Sequence, residues 1–216
     1  AASIGGESVI ISFEPHPREV LYPREKKIGI LTTLEEKIAI LEKYGVDHLI
    51  ILKFTLEFAQ QSYFDFVEKI LVDKIKIKGL VVGYDHRFGK DRAGNFENLQ
   101  ELSRKYGFFL EKEVVFEEDD VNVSSTKIRN ALAVGNITTV NRFLGYPYSI
   151  TGKVVNGHRL GHTIGFPTAN IQIFDDRKLL PAIGVYAVKV LIGTQIFNGM
   201  LNIGIRPTVS DDGRVS

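Results

Sequence analysis

A strand-like run, SVIISF at residues 8–13, is followed by a helical pattern, TLEEKIAIL at 33–41, and by a second strand-like run, HLIIL at 48–52. The apolar residues of the helical part recur at the spacing of one helix face, and its first four residues, TLEE, have the form of a capping box. Strand, helix and strand in this order predict a βαβ unit with parallel strands.

The same alternation continues to about residue 135. Helices are predicted to begin at Ser62, Asn95 and Ser124, and strands are predicted at 79–83 and 108–115. The first part of the chain is therefore expected to be an α/β domain with a mostly parallel, twisted sheet.

The composition changes near residue 145. Half of the 20 glycines lie in residues 145–216, and no Glu follows Glu118. Closely spaced strands without helices predict a small antiparallel barrel in this part. We therefore predict two domains, residues 1–144 and 145–216. The strands expected in the second domain are 149–155, 166–173, 184–192 and 195–203.

Composition excludes several classes of protein. A net charge of +1 over 216 residues argues against binding nucleic acid by general electrostatics, and no apolar run is long enough for a membrane span. The absence of Cys removes disulfides and thiolate sites. We expect a soluble, cytoplasmic globular protein of undefined oligomeric state. Because the chain begins at Ala1 and its one methionine is Met200, we also expect it to be a piece of a longer protein.

Three polar clusters follow predicted elements of the first domain: EPHPR at 14–18, YDHRFG at 84–89 and SSTKIR at 124–129. Ligands of open α/β sheets bind beyond the carboxyl ends of the strands, so we expect the clusters to converge on one rim. Hydroxyls and N–H groups at a helix N-terminus, with Lys127 and Arg129 nearby, favour a phosphate. An ordinary N-cap beside solvated basic residues, and a rigid turn around His16, are the simpler alternatives.

The second domain has its own candidate site. Residues 157–165 carry three glycines at intervals of four, interspersed with cations, and lead into the segment FPTAN at 166–170. Glycine-rich backbone can approach phosphates closely, and Thr168 and Asn170 offer neutral oxygens suited to Mg²⁺. An ordinary glycine turn explains the spacing equally well.

Taken together, these motifs resemble the family of bacterial bifunctional riboflavin kinases/FMN adenylyltransferases, also called FAD synthetases. The matching segments occur in family order along nearly the whole chain: SFEPHPREV (12–20), LTTLEEK (31–37), VGYDHRFG (82–89), SSTKIR (124–129), GFPTAN (165–170), GVYAV (184–188) and NIGIRPT (202–208). The resemblance implies a Rossmann-like nucleotidyltransferase domain followed by a flavokinase β-barrel. It also implies Mg²⁺, ATP as co-substrate, and riboflavin, FMN and FAD as substrates and products.

The resemblance also implies roles for individual residues. Ser124 and Arg129 would be catalytic in adenylyl transfer. ATP and flavin would contact, in that domain, Pro15, His16, Pro17, Gly83, Asp85, Phe88, Gly89, Ser125 and Thr126. In the kinase domain they would contact Gly157, His158, Gly161, His162, Pro167, Arg206, Pro207 and Thr208. Thr168 and Asn170 would bind the metal.

Two groups of the family's pattern are missing from this sequence. The HxGH motif of the first strand–helix turn is expected before Ala1, and the glutamate that acts as the kinase base is expected after Ser216. We therefore expect these residues alone to be inactive. A nucleotidyltransferase with another phosphorylated acceptor and a non-catalytic flavin- or nucleotide-binding module are the rival interpretations.

Overall fold

The computed structural model describes residues 1–25, 29–84, 86–114, 117–118, 121–156 and 168–204. Contacts between Cα atoms divide the chain into two compact units. The first comprises Ala1–Ile28 and Lys37–Asn122, and the second comprises Gly29–Glu36 and Val123–Ser216. Helices and strands alternate along the chain, which confirms the mixed α/β class.

The elements up to residue 122 are β1 (Val9–Glu14), α1 (Pro17–Leu21), α2 (Leu34–Lys43), β2 (His48–Lys53), α3 (Leu56–Ala59), α4 (Tyr63–Asp65), a π-helix (Phe66–Ile75), β3 (Gly79–Val82), α5 (Phe96–Tyr106), β4 (Phe109–Lys112), β5 (Glu117–Glu118) and β6 (Val121–Asn122). Short 3₁₀ turns span Ala2–Ile4 and Lys90–Arg92. The start of α2, through Glu36, is grouped with the second unit.

The strands of the first unit pair as the βαβ pattern predicts. β1 runs parallel to β2, with Glu14 opposite Lys53 at their carboxyl ends. β3 runs parallel to β4, with Val82 opposite Lys112. Each sheet formed by the described residues has two strands, so one continuous parallel sheet is not confirmed.

The core of the first unit lies between its helices and β3. Apolar residues recur along α5 at the spacing of one helix face, so that this face is buried and the opposite face is exposed. The buried residues are Val67, Leu71, Val82, Leu99, Leu102 and Phe108. Ile11 of β1 packs against the same cluster, so both parallel pairs contribute to one core.

The second unit combines a helix pair with two antiparallel strand pairs. Its elements are α6 (Ser125–Ala133), α7 (Ile137–Leu144), β7 (Gly152–Val155), β8 (Asn170–Ile173), β9 (Gly184–Ile192) and β10 (Gln195–Ile203). Strand β7 pairs with β8, and β9 pairs with β10. The antiparallel pairing is therefore confirmed, whereas the described residues do not form a closed barrel.

The helix pair of the second unit has its own core, made by Ile128, Leu132 and Val140. The carbonyl oxygen of Leu132 accepts a hydrogen bond from the backbone N–H of Ala182, 3.0 Å away. Contacts of this kind group residues 123–144 with the later strands. The predicted division of the chain at residue 144 stays a prediction.

Several elements differ from the sequence-based expectation. The strand predicted at 108–115 covers only Phe109–Lys112, and the strand predicted from residue 149 begins at Gly152. Helix α7 was not predicted, because its Ile-Thr-Thr-Val start is rich in β-branched residues. The side chain of Asn136 caps that helix by accepting from the N–H of Thr139. None of the helices in the described ranges has the length and apolar character needed to cross a bilayer.

Candidate active site

The N-terminus of α6 presents a row of exposed polar groups. Ser124 is the N-cap, and its Oγ accepts a hydrogen bond from the N–H of Lys127 at 3.3 Å. Ser125 and Thr126 are exposed in the first turn, which contains no acidic residue. Because the first N–H groups of a helix have no partner within the helix and carry partial positive charge, this end favours an anion. Phosphate binding by Ser124, Ser125 and Thr126 stays a prediction.

Arg129 lies one turn further along α6 and is half-buried. Its Nε–H donates to the carbonyl oxygen of Gly29 at 3.0 Å. With Nε engaged in this way, the two terminal amino groups form the edge that can grip two phosphate oxygens. The contact with Gly29 joins residues 100 positions apart and has no signal in the sequence.

The turn after β1 is built around His16. This residue is half-buried and caps α1, because its Nδ1 accepts a hydrogen bond from the N–H of Arg18 at 3.2 Å. Pro17 occupies the first position of that helix, where a missing N–H costs nothing. The cap and the proline fix the backbone and the ring of His16 at the start of α1.

A cluster of aromatic rings begins at Phe13 in β1 and continues through residues that follow β2. Phe13, at the end of β1, contacts Phe54 and Phe58 with ring centroids 5.5 and 5.6 Å apart. The contacts continue from Phe58 to Phe66 at 6.1 Å and from Phe66 to Phe88 at 6.0 Å. These five rings, which we call the aromatic cluster, join the first and second predicted polar clusters within the first unit. Sequence reasoning identified Phe88 alone.

The loop after β3 is held close to the start of α4. Gly89 has φ +71°, and a Cβ at this position would lie 2.5 Å from the backbone nitrogen of Tyr63. Phe88 exchanges two backbone hydrogen bonds with Gly94, which closes the loop. His86 is exposed and stacks on Phe88 at 5.4 Å. Gly83 is exposed, and Asp85 lies outside the described residues.

The candidate metal residues lie at the start of β8. Asn170 is half-buried and stands opposite Val155, while Thr168 is exposed. Among the described residues, no group of three or more Asp, Glu or His side chains could hold a metal. The other kinase-domain residues expected to bind ligand lie outside the described residues: Gly157, His158, Gly161, His162, Pro167, Arg206, Pro207 and Thr208.

Sequence reasoning missed a cavity of about 480 Å³ in the second unit. It lies at the ends of β8 and β10 and is lined by Ile173, Asp175, Asp176, Lys178, Leu180, Pro181, Ala182, Ile183 and Ile203. The volume is within the range of small-molecule sites. No motif marks it, because its lining comes from residues 173–183, which have an ordinary composition, and from Ile203 at the end of β10.

A buried ion pair was also missed. Lys178 and Glu36 are 5% exposed each, and Lys178 Nζ lies 2.6 Å from Glu36 Oε2. Burial lowers the pKa of Lys178, against the opposing effect of Glu36. The Lys178 ammonium lies 4.2 Å from the ring centre of Tyr148, and burial raises the pKa of that phenol. Glu36 was expected only as part of a capping box, which the structure contains.

The predicted site residues thus fall into two groups. Pro15, His16, Pro17, Gly83, Phe88 and Gly89 belong to the first unit, whereas Ser124, Ser125, Thr126, Arg129, Thr168 and Asn170 belong to the second. The expected convergence of all three polar clusters on one rim stays a prediction.

Comparisons with known proteins divide the chain at a different place, because Ser124, Ser125 and Thr126 of the second unit fall within the first of two family matches. The family model described as FAD synthetase matches residues 1–127, and the model described as riboflavin kinase matches residues 144–216. The chain is similar to a crystal structure from Streptococcus pneumoniae described as a macrolide-efflux protein. The TM-score is 0.86 at 29% identity, over 99% of this chain and 68% of the other.

Two curated relatives from different bacteria have the same name. A bifunctional riboflavin kinase/FMN adenylyltransferase of Escherichia coli (strain K12) is 42% identical over 94% of this chain and 64% of its own length. Its counterpart in Listeria monocytogenes is 36% identical over 100% of this chain and 68% of its own length. The chain therefore spans about two thirds of the length of these relatives. The chain belongs to the family of bifunctional riboflavin kinases/FMN adenylyltransferases.

Proposed function

We propose that the protein containing this chain makes flavin cofactors from riboflavin in two ATP-dependent steps. The first transfers the γ-phosphoryl group of ATP to riboflavin and gives FMN. In the second, a phosphate oxygen of FMN bonds to the α-phosphorus of ATP, and the bond from that phosphorus to pyrophosphate breaks. The observation that carries the proposal is the N-terminus of α6, where exposed hydroxyls and N–H groups stand in a turn without acidic residues.

The finer fold assignment is part of the proposal. We assign β1 to β4 to one Rossmann-like nucleotidyltransferase sheet, because Ile11 of β1 and Val82 of β3 pack in the same core. The antiparallel pairs β7–β8 and β9–β10 are assigned to a flavokinase barrel. The proposed domains are residues 1–144 and 145–216.

In adenylyl transfer, residues 124–126 and Arg129 hold the phosphates of ATP. Phosphoryl and nucleotidyl transfer need alignment and charge stabilisation more than covalent chemistry, so hydroxyls, N–H groups and a guanidinium suffice. The aromatic cluster offers ring surfaces for the flat isoalloxazine of FMN, since offset and edge-on aromatic contacts are favourable. His16 and its proline neighbours form a fixed turn directly after β1, which carries Phe13 of that cluster.

In phosphorylation of riboflavin, Thr168 and Asn170 bind Mg²⁺ together with ATP. Asn170 is the first residue of β8, and Thr168 lies two positions before it. Two neutral oxygens fit Mg²⁺, which takes most of its ligands from water and phosphates. When held by these two residues, the ion would supply charge neutralisation at the transferring phosphate. We assign further phosphate contacts to the glycines of residues 157–165, which lie outside the described residues, because glycine-rich backbone can approach phosphates closely.

The test is incubation of the complete protein with riboflavin, ATP and Mg²⁺, followed by chromatography of the flavins. We expect riboflavin to disappear and FMN and then FAD to accumulate. The variant Asn170→Ala is expected to stop phosphorylation while supplied FMN is still adenylylated, and Ser125→Ala is expected to do the reverse. Equal loss of both activities in each variant would refute separate sites. Pyrophosphate release with another phosphorylated acceptor, and none with FMN, would support the rival nucleotidyltransferase.

A further inference from the structure

Residues 29–36, which we call the arm, are bound along residues 177–179 within the second unit. The N–H of Ile30 donates to the carbonyl of Arg177 at 2.8 Å, and the N–H of Leu179 donates to the carbonyl of Ile30 at 3.0 Å. A Cβ at Gly29 would overlap the side chain of Leu179. The backbone of the arm therefore runs directly against this segment, with no room for a side chain at its first residue.

The buried ion pair fixes the rest of the arm. Lys178 Nζ donates to the carbonyl of Leu31 and to Glu36 Oε2, each at 2.6 Å. The same Oε2 accepts from the N–H of Thr33 at 3.0 Å. One lysine thus binds the arm at its middle and at its end. Because the side chains of Lys178 and Glu36 are 1% and 4% exposed, water does not readily replace these bonds.

The other end of the arm meets Arg129. The carbonyl of Gly29 accepts from Arg129 Nε–H at 3.0 Å. A charge-assisted hydrogen bond of this kind orients the plane of the guanidinium. Any displacement of the arm therefore moves the acceptor that sets the direction of the terminal amino groups of Arg129.

We propose that Lys178 and Glu36 are positioning residues for Arg129, which they hold in its phosphate-binding orientation through the arm and the Gly29 carbonyl. The inference rests on the proposed function, in which Arg129 binds ATP phosphates. Lys178 lies in residues 145–216, the proposed kinase domain. A lysine of that domain thereby sets the geometry of an arginine used in adenylyl transfer.

The test measures kcat and KM for ATP in adenylylation of supplied FMN by the complete protein. The variants are Lys178→Met, Arg129→Ala and their combination, with the exposed Lys189→Met of β9 as control. We expect Lys178→Met to raise KM for ATP about tenfold, equivalent to about 1.4 kcal/mol, with a smaller change in kcat. In the Arg129→Ala background, the same substitution is expected to change KM less than about twofold, because the oriented group is gone.

Two results would overturn the inference. One is an equal effect of Lys178→Met in both backgrounds, which indicates general destabilisation. The other is an unchanged KM in a folded Lys178→Met protein. An unchanged KM in Arg129→Ala would instead refute the phosphate-binding role of Arg129 in the proposed function. If Lys178→Met does not fold, Gly29→Ala displaces the arm without altering any charge, and it is expected to show the same dependence on Arg129.

Discussion

Replacement of Gly89 by Ala tests whether the loop after β3 is held against the helix that begins at Tyr63. Gly89 has φ +71°, and an added Cβ would lie 2.5 Å from the backbone nitrogen and 2.7 Å from the Cα of Tyr63. Both are backbone atoms, so the contact cannot be relieved by a change of rotamer. Gly45 is a matched control, because its φ is +70° and nothing lies within 4 Å of its Cβ position.

The two substitutions share the cost of a left-handed backbone, about 1–2 kcal/mol for a residue with a Cβ. Gly89→Ala adds the cost of forcing a carbon into a packed site, about 1–3 kcal/mol. We therefore expect losses of about 2–5 kcal/mol for Gly89→Ala and about 1–2 kcal/mol for Gly45→Ala. At roughly 4 °C per kcal/mol for a unit of this size, Tm falls by about 8–20 °C and about 4–8 °C, respectively.

The assay is thermal unfolding followed by circular dichroism, with FMN binding measured by fluorescence well below both melting temperatures. Gly89→Ala is also expected to weaken FMN binding, because Phe88 of the aromatic cluster adjoins the displaced residue, while Gly45→Ala binds FMN normally. Equal Tm shifts for the two variants would contradict the close approach to Tyr63. Normal FMN binding by Gly89→Ala would contradict the assignment of the flavin ring to this cluster.

Three further predictions concern stability and ATP. Leu132→Ala removes a side chain that is 1% exposed and is expected to cost about 2–5 kcal/mol in denaturant unfolding, while Val134→Ala, 74% exposed, has little effect. Hydrogen bonds from Ser8 lower the pKa of Asp47 below 3.8, so the carboxylate stabilises the fold above that pH and its contribution is lost as pH falls through the lowered pKa. Asp47→Asn is expected to flatten this acid limb of Tm against pH. Ser124→Ala removes an N-cap, so we expect it to lower the free energy of unfolding by about 1 kcal/mol in denaturant unfolding. We also expect it to raise KM for ATP in adenylyl transfer.

The elements predicted correctly from sequence are those whose signals are local. Capping residues mark helix starts within four positions, and the structure contains the predicted caps at Thr33, Ser62, Asn95 and Ser124. Each of these side chains accepts a hydrogen bond from an N–H three residues later, an interaction that needs no tertiary contact. The same locality explains why Ser124 caps α6 as predicted, whereas phosphate binding at this end of the helix stays a prediction.

Interactions between distant residues were not predictable. The aromatic cluster joins Phe13 to Phe88 through rings on four different segments, and phenylalanines in an apolar pattern are typical of any core. Lys178 and Glu36 are 142 positions apart. From sequence alone, a lysine and a glutamate are each expected to be exposed to solvent. The packing of the second unit brings the two side chains together, and the spacing of apolar residues along the sequence does not predict that contact.

Glu36 illustrates how a local signal can carry a second, long-range role. Its Oε2 closes the capping box with Thr33 and also accepts from Lys178, while Oε1 is buried without a partner among the described residues. Burial of an unpaired carboxylate oxygen costs free energy. A glutamate that only caps a helix is usually exposed, and water then hydrates its second carboxylate oxygen. Helix capping therefore does not account for the burial of this residue. The contact that accounts for it is Lys178, which also binds Leu31, and this favours a role in fixing the arm and, through Gly29, the orientation of Arg129.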